Sequence, residues 1–363
     1  MKTRFLSSSL FLSLFALLGM GLVQVYSSSY IFATESYDDG LYFFKRQFIF
    51  TIIAFATLIF TTQIPFEKIR KHAWLVWAFA FILVIATFVP GLGVKVGGAQ
   101  RWLRMPLGIR FEPSELLKIG FSFLFASLVC REQNLLSKFK TGWLFLLVIA
   151  PIALLLKQPD FGSFAIIMIV GTALLFTMGI NLRWLAVAAV SALPVLYFLV
   201  WHSPYRRARV QAFLDPWSDP AQKGFQVIQS MLSVHSGGLT GQGFGQGQGK
   251  LFFLPEAHTD FTMAVLGEEL GFIGIVCILL IYGFVVFRGF AIALKTHDMF
   301  KKILALGLST TFALSVFINM GVVMGLLPTK GLTMPFLSYG GSSLIVLCFM
   351  FGILLNIEMS ESR

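Results

Sequence analysis

Gly271-Phe272-Ile273-Gly274-Ile275-Val276-Cys277-Ile278-Leu279-Leu280-Ile281-Tyr282-Gly283-Phe284-Val285-Val286-Phe287 carries no charged side chain. As a helix this stretch is about 25 Å long, close to the thickness of a bilayer's hydrocarbon core. The run is continuous rather than alternating, so it reads as a membrane-spanning helix and not as a barrel strand. Working outward, similar runs lie near 5–26, 47–63, 73–90, 113–130, 142–156, 163–180, 184–201, 264–287, 303–327 and 336–357. The whole chain agrees: its 363 residues are 57% hydrophobic and 12% charged, where soluble domains carry about 25% charge. The expected fold is an all-α polytopic membrane protein. It has ten transmembrane helices, one domain over 1–363 and one large extracytoplasmic loop at 202–262.

An even number of spans puts both termini on one side. With the N-terminus inside, the inner segments hold 14 of the 28 Lys and Arg residues, a tie under the positive-inside rule. Long loops count little in that rule, and discounting 202–262 favours both termini in the cytoplasm. The net charge of +11 is then a membrane-protein feature and does not imply nucleic acid. Met1-Lys2-Thr3-Arg4 and the run after it resemble a signal peptide, but the run is too long and is expected to remain as the first span. Cys130, Cys277 and Cys348 lie in apolar runs without metal-ligand spacing and imply no disulfide framework.

Just before the 264–287 run stands Leu254-Pro255-Glu256-Ala257-His258-Thr259-Asp260-Phe261. Glu256, His258, Thr259 and Asp260 crowd polar side chains against an apolar span. A carboxylate there loses hydration, its pKa rises, and it becomes a candidate general base. The plainer reading is a solvated loop that caps the next helix. The glycine-rich 237–249 upstream has no strand leading into it, which excludes a dinucleotide fold. Composition favours a flexible linker there, with a backbone cradle for phosphate as the alternative.

Ionisable residues inside spans cost about 2.5–3.5 kcal/mol each, so each calls for a reason. Glu115 and Lys118 share a helix face and can pair, and Glu112 extends that face. Asp160 follows Pro159 at the mouth of a span, where an N-cap role is the plainer reading. Glu268 and Glu269 open another span, where the helix dipole favours anions over any catalytic role. On the outer side, Lys95, Arg101, Arg104 and Arg110 share one loop, and Arg206, Arg207 and Arg209 another. They suit lipid phosphates or an anionic substrate. Trp102 is an interfacial anchor or a platform for a sugar ring.

Taken together, Gly98-Ala99-Gln100-Arg101-Trp102, Phe111 to Lys118, Pro159-Asp160-Phe161-Gly162, Phe213-Leu214-Asp215-Pro216-Trp217, Leu254 to Phe261, Gly267-Glu268-Glu269-Leu270-Gly271 and Gly325 to Leu344 resemble the SEDS family (shape, elongation, division and sporulation). The resemblance runs over nearly the whole chain, and Leu254 to Phe261 with Gly331-Leu332-Thr333-Met334-Pro335 look like its division branch. It implies ten transmembrane helices in the bacterial inner membrane, with cytoplasmic termini and a septal location. It implies a peptidoglycan glycosyltransferase polymerising lipid II, with a class B penicillin-binding protein and other division-complex membrane proteins as partners. The family's essential outer-loop aspartate falls on Asp260, its outer-loop tryptophan on Trp102, its buried Glu-x-x-Lys pair on Glu115 and Lys118, and its Pro-Asp-Phe-Gly aspartate on Asp160. The chain departs from the family pattern at His235 and at Gln248-Gly249-Lys250.

That chemistry needs a base for a sugar hydroxyl and positive charge for a departing pyrophosphate. Asp260 fits the base, and Arg101, Arg104, Arg206, Arg207, Arg209 and Lys330 are the available cations. No cofactor is implied; a divalent cation could assist, but no His or carboxylate cluster specifies one. The other readings are a lipid II flippase or transporter, an elongation-type polymerase acting in cell shape, and a structural scaffold. An outer-loop site favours the enzyme, since a transporter's site belongs nearer the midplane.

Overall fold

The computed structural model describes residues 4–96, 99–131, 142–222, 224–250 and 254–361. Its helices are α1 (Ser9–Tyr37), α2 (Tyr42–Gln63), α3 (Phe66–Ala86), α4 (Pro113–Arg131), α5 (Gly142–Lys157), α6 (Phe161–Thr177), α7 (Leu182–Trp201), α8 (Pro204–Leu214), α9 (Phe225–Ser236), α10 (Thr262–Lys295), α11 (Met299–Val323) and α12 (Gly341–Glu361). Among the described residues seven helices are long and apolar enough to cross a membrane: α1 to α4 and α10 to α12. The protein is therefore a multi-pass membrane protein. The other three expected spans fall on α5, α6 and α7, which are shorter or carry an internal proline, Pro151 in α5 and Pro194 in α7.

α12 lies along α2, α3 along α4, and α11 against α10, α4 and α6. Their common core includes fully buried Phe123, Tyr282, Phe312 and Phe351. Phe312 and Phe351 meet edge to face with ring centroids 4.8 Å apart, a favoured aromatic geometry. α1 outruns its expected span, and in the extension Ser28 and Ser29 donate to the carbonyls of Gln24 (2.8 Å) and Val25 (2.6 Å). Those back-bonds satisfy the buried hydroxyls within the helix. At one end of the bundle Ser8 Oγ donates to Glu358 Oε2 (2.7 Å), Arg288 pairs with Glu358, and Lys301 with Glu361. These bonds gather the start of α1, the end of α12 and the α10–α11 turn.

Two expectations are corrected at the opposite end. The chain is not purely α-helical: β1 (Gly93–Val96), β2 (Ala99–Arg104) and β3 (Arg110–Phe111) form an antiparallel sheet in the order β1-β2-β3 between α3 and α4. Burial alternates along β2, the period of a strand with one face on the protein.

The glycine-rich stretch is also not a free linker. α10 is broken at Gly271 (φ 68°, ψ −169°), a conformation nearly confined to glycine. The break frees carbonyls on one side and amides on the other, and 238–243 threads between them. Gln242 and Gly243 donate to the carbonyls of Glu268 (3.0 Å) and Glu269 (3.1 Å), while Phe272 and Ile273 donate to those of Gly238 (2.9 Å) and Leu239 (3.1 Å). Glycine is required because backbone meets backbone: a Cβ at Gly271 would stand 2.2 Å from Gly241 N. Gly271→Ala should therefore destabilise the protein by about 2 kcal/mol or more. A Cβ at Gly283 in the same helix meets nothing within 4 Å, so Gly283→Ala should be neutral. Thermal melting in detergent checks the pair, and equal melting temperatures would contradict the threaded-break account.

Candidate functional site

The end that carries the sheet also carries a cleft with about 530 Å³ of free space, open solvent included. Its polar lining comes from four places: Arg101 on β2, Asp160 at the start of α6, Arg206 and Arg209 on α8, and Lys330 in the connection after α11. Val200, Val210 and Leu332 supply apolar wall. Arg101 donates to the Pro159 carbonyl, Arg206 to that of Leu156 (2.8 Å) and Arg209 to that of Thr329 (2.9 Å). Each guanidinium is thus oriented by the main chain.

Periodicity decides which expected cations reach the cleft. On β2, Arg101 points inward and is buried, while Trp102, one residue on, is half-buried and sits across from Val94. Arg104 is exposed and lies across from Arg110. On α8, Arg206 and Arg209 are three residues apart and share a face; Arg207 between them is exposed. Trp102, Arg104 and Arg207 therefore do not line the cleft.

Asp160 is 1% exposed. It caps α6, with Oδ1 accepting the Ser163 amide (3.2 Å), and Oδ2 has no partner among the described residues. Lys118 Nζ lies 2.8 Å from Glu115 Oε1 within α4, both side chains nearly buried. Glu112, just before α4, is pushed up to about 8, first by burial and then by Glu115 and Asp160, against Arg101 and Lys118. Burial pushes the Lys330 ammonium below its ordinary value; Asp160 opposes this and Arg209 adds to it. These groups form one electrostatic neighbourhood.

Asp260 is half-buried, two residues before α10. A methyl group at Gly331 would stand 3.6 Å from Asp260 Oδ2 and 3.3 Å from Arg101 Nη1, so carboxylate and guanidinium meet over the same bare backbone at the cleft. Three successive carbonyls anchor the segment. His258 O accepts the Tyr339 amide (2.9 Å), Thr259 O accepts Ser338 Oγ (2.5 Å) and Asp260 O accepts Asn319 Nδ2 (3.0 Å). The His258 ring packs on Phe32 and Phe43, with centroids 5.4 and 4.8 Å away. Burial, helped by Glu256, pushes the Asp260 carboxyl up to about 7, and Arg209 and Arg101 only partly offset it.

Glu268 and Glu269 do not serve the helix dipole as expected, because they sit at the end of the first half of α10 and not in its first turn. Glu268 accepts the Gln248 (2.7 Å) and Gly249 (2.9 Å) amides. Glu269 pairs with Lys250 (2.8 Å) and accepts Ser27 Oγ (2.7 Å). Sequence reasoning missed Asn319, Ser338 and the role of Lys250. The one available signal was Asn319 itself, an amide inside an apolar run. Among the described residues no three His, Cys, Asp or Glu side chains could hold a metal together.

Comparison with known proteins agrees with this architecture. The family model for FtsW, RodA and SpoVE, described as Cell cycle protein, matches residues 8–363. A probable peptidoglycan glycosyltransferase FtsW of Geobacter metallireducens is 45% identical over 345 residues, 94% of this chain and 92% of that protein. Stage V sporulation protein E of Bacillus subtilis is 36% identical over 344 residues, 94% of each chain. Among solved structures, a chain of a peptidoglycan synthase complex superposes with a TM-score of 0.79 at 27% identity, covering 98% of both chains. The rod shape determining protein RodA of Thermus thermophilus shares the fold, with a TM-score of 0.70 at 24% identity over 98% of this chain and 97% of that one. With the family model spanning 8–363 and relatives this similar over nearly their full length, the chain belongs to the FtsW/RodA/SpoVE family of cell cycle proteins.

Proposed function

We propose that this chain is a peptidoglycan glycosyltransferase that polymerises lipid II during septal wall synthesis. It works in the inner membrane with ten spans, cytoplasmic termini and the cleft on the outer face. The observation that carries the reading is Asp260, a carboxyl poised near neutrality beside a cleft of oriented cations. In the reaction the acceptor sugar's C4 hydroxyl attacks the anomeric carbon of a pyrophosphate-linked sugar. The C4–O–C1 bond forms, the C1–O bond to phosphate breaks, and the pyrophosphate leaves with the electron pair. Asp260 takes the hydroxyl proton. Arg101, Arg206, Arg209 and Lys330 face the developing negative charge, which fixed donors stabilise without reorganisation. Glu115 and Lys118 hold the inner wall, since losing one partner would strand a buried charge. Arg104 with Arg110, and Arg207, lie outside the cleft and serve headgroup contact. The partner is a class B penicillin-binding protein. A solved relative of the same fold is part of a peptidoglycan synthase complex, which supports this.

Asp260→Asn keeps size and shape but cannot accept the proton. Polymerisation of purified lipid II, at matched amounts of folded protein, should fall about 100-fold or more. Because the wild-type carboxyl must be ionised, the rate should rise with pH to about 7 and then level off. That rising limb should be absent from the residual rate of the variant. Equal rates for the two proteins would remove Asp260 from the chemistry.

The cleft cations divide from the others. Arg206→Gln with Arg209→Gln should weaken lipid II binding about tenfold or more, the scale of lost charge-assisted hydrogen bonds. Arg104→Gln with Arg207→Gln should change it less than about threefold, as exposed ion contacts do. Equal losses from both pairs, measured by binding in detergent, would contradict this assignment.

A further inference from the structure

The segment bearing Asp260 and the connection bearing Lys330 are far apart in sequence, yet one side chain ties them. Asn319 sits in α11 and is 1% exposed. Its Nδ2 donates to the carbonyl of Asp260 (3.0 Å) and to that of Leu332 (2.6 Å). Leu332 in turn donates its amide to Lys330 O (2.9 Å) and lines the cleft. A primary amide nitrogen carries two N–H groups, one for each carbonyl. The orientation of the amide is forced, because its oxygen turned the same way would face two acceptors. Asn319 Oδ1 is left buried with no partner among the described residues, so the amide keeps its place at a desolvation cost.

We infer that Asn319 is a positioning residue, holding Asp260 and the Leu332 wall of the cleft in one frame anchored on α11. This rests on the reading of Asp260 as the base. α11 suits the task, since it packs against α4, α6 and α10 and buries Phe312, Ile318 and Val322. Other residues fail on elementary grounds. An ionised Asp has no donor, Ser has one, and Gln carries its amide one methylene further out. Proton transfer falls off steeply with misplacement, and about 1 Å can cost roughly 100-fold.

The test is a double-mutant cycle of Asn319→Ser with Asp260→Asn, run on the full chain in detergent with purified lipid II. Rates are taken per folded molecule, with thermal melting of each variant. Asn319→Ser adds no charge and keeps one donor, so it is the variant most able to fold; Asn319→Asp, which loses both donors when ionised, is measured beside it. Asn319→Ser should lower kcat about tenfold or more, with KM for lipid II within about threefold. In the Asp260→Asn background it should lower the residual rate less than about twofold, because the base it positions is already gone. Losses that multiply in the cycle, an effect on KM alone, or an unchanged kcat with only a lower melting temperature would each overturn the positioning role. The Asp260→Asn corner reports separately on the base. If that variant alone keeps the wild-type rate, the assignment of Asp260 fails, and the inference built on it fails for a reason the cycle identifies.

Discussion

The exchange of hydrogen bonds between the glycine run and the broken α10 is the constraint on which the outer end depends. Backbone groups near a bilayer have little water to turn to, so a helix that breaks there must find partners in its own protein. The 238–243 segment supplies donors to one half of α10 and acceptors to the other. Once it is inserted, the next residues are fixed as well. Glu268 holds the amides of Gln248 and Gly249, and Glu269 holds Lys250. Leu254 also donates its amide to Gly249 O (2.9 Å), which ties the start of the Asp260 segment to the same place. The first half of α10, Thr262 to Leu270, is free to point its start at the cleft independently of the long apolar half. A continuous helix would give one direction to both.

The cleft then separates two electrostatic tasks. Had the arginines dominated at Asp260, its carboxyl would lie below the ordinary range and make a poor base. Burial and Glu256 prevail instead. Carbonyls from Pro159, Leu156 and Thr329 draw the guanidinium groups of Arg101, Arg206 and Arg209 toward the end of α5, the α5–α6 connection and the segment after α11. A base near neutrality and cations near a leaving group are opposite requirements. On the proposed reading they coexist because burial outweighs Arg209 and Arg101 at Asp260, while backbone carbonyls orient Arg101, Arg206 and Arg209.

The helices were legible in the sequence because hydropathy over a span's length is a strong signal, and the motif residues were legible through family resemblance. What was hidden depended on direction and on backbone. Arg104 and Arg207 read as equals of Arg101 and Arg206 until strand and helix periods sent them elsewhere. The expected span at 336–357 begins later, at Gly341, because Pro335 to Gly340 is a turn whose Phe336 has φ 67°, and apolar composition does not reveal that. The glycine run looked like a linker because its purpose is main-chain contact, which composition does not show. Asn319 was passed over since one polar residue barely alters the hydropathy of a span.

Lower down, packing limits what the cleft can do. Leu332 and Gly162 line it, and a Cβ on Gly162 would stand 2.8 Å from Leu332 Cγ. Below them α6 and α11 bury Ile166, Val170 and Phe312. A charged headgroup could not descend between these helices without unpacking them and losing its cations, a cost that grows with every buried side chain displaced. The side toward α7 is different. Val200 and Val210 line the cleft there, and Trp184, Val187, Val190, Tyr197 and Phe198 of α7 are exposed as apolar surface. On the proposed reading, a molecule with an anionic head and a long apolar tail places the head among the arginines and leaves the tail in lipid. The same packing disfavours carrying that head across the membrane, so the arrangement suits chemistry at the surface better than transport through the bundle.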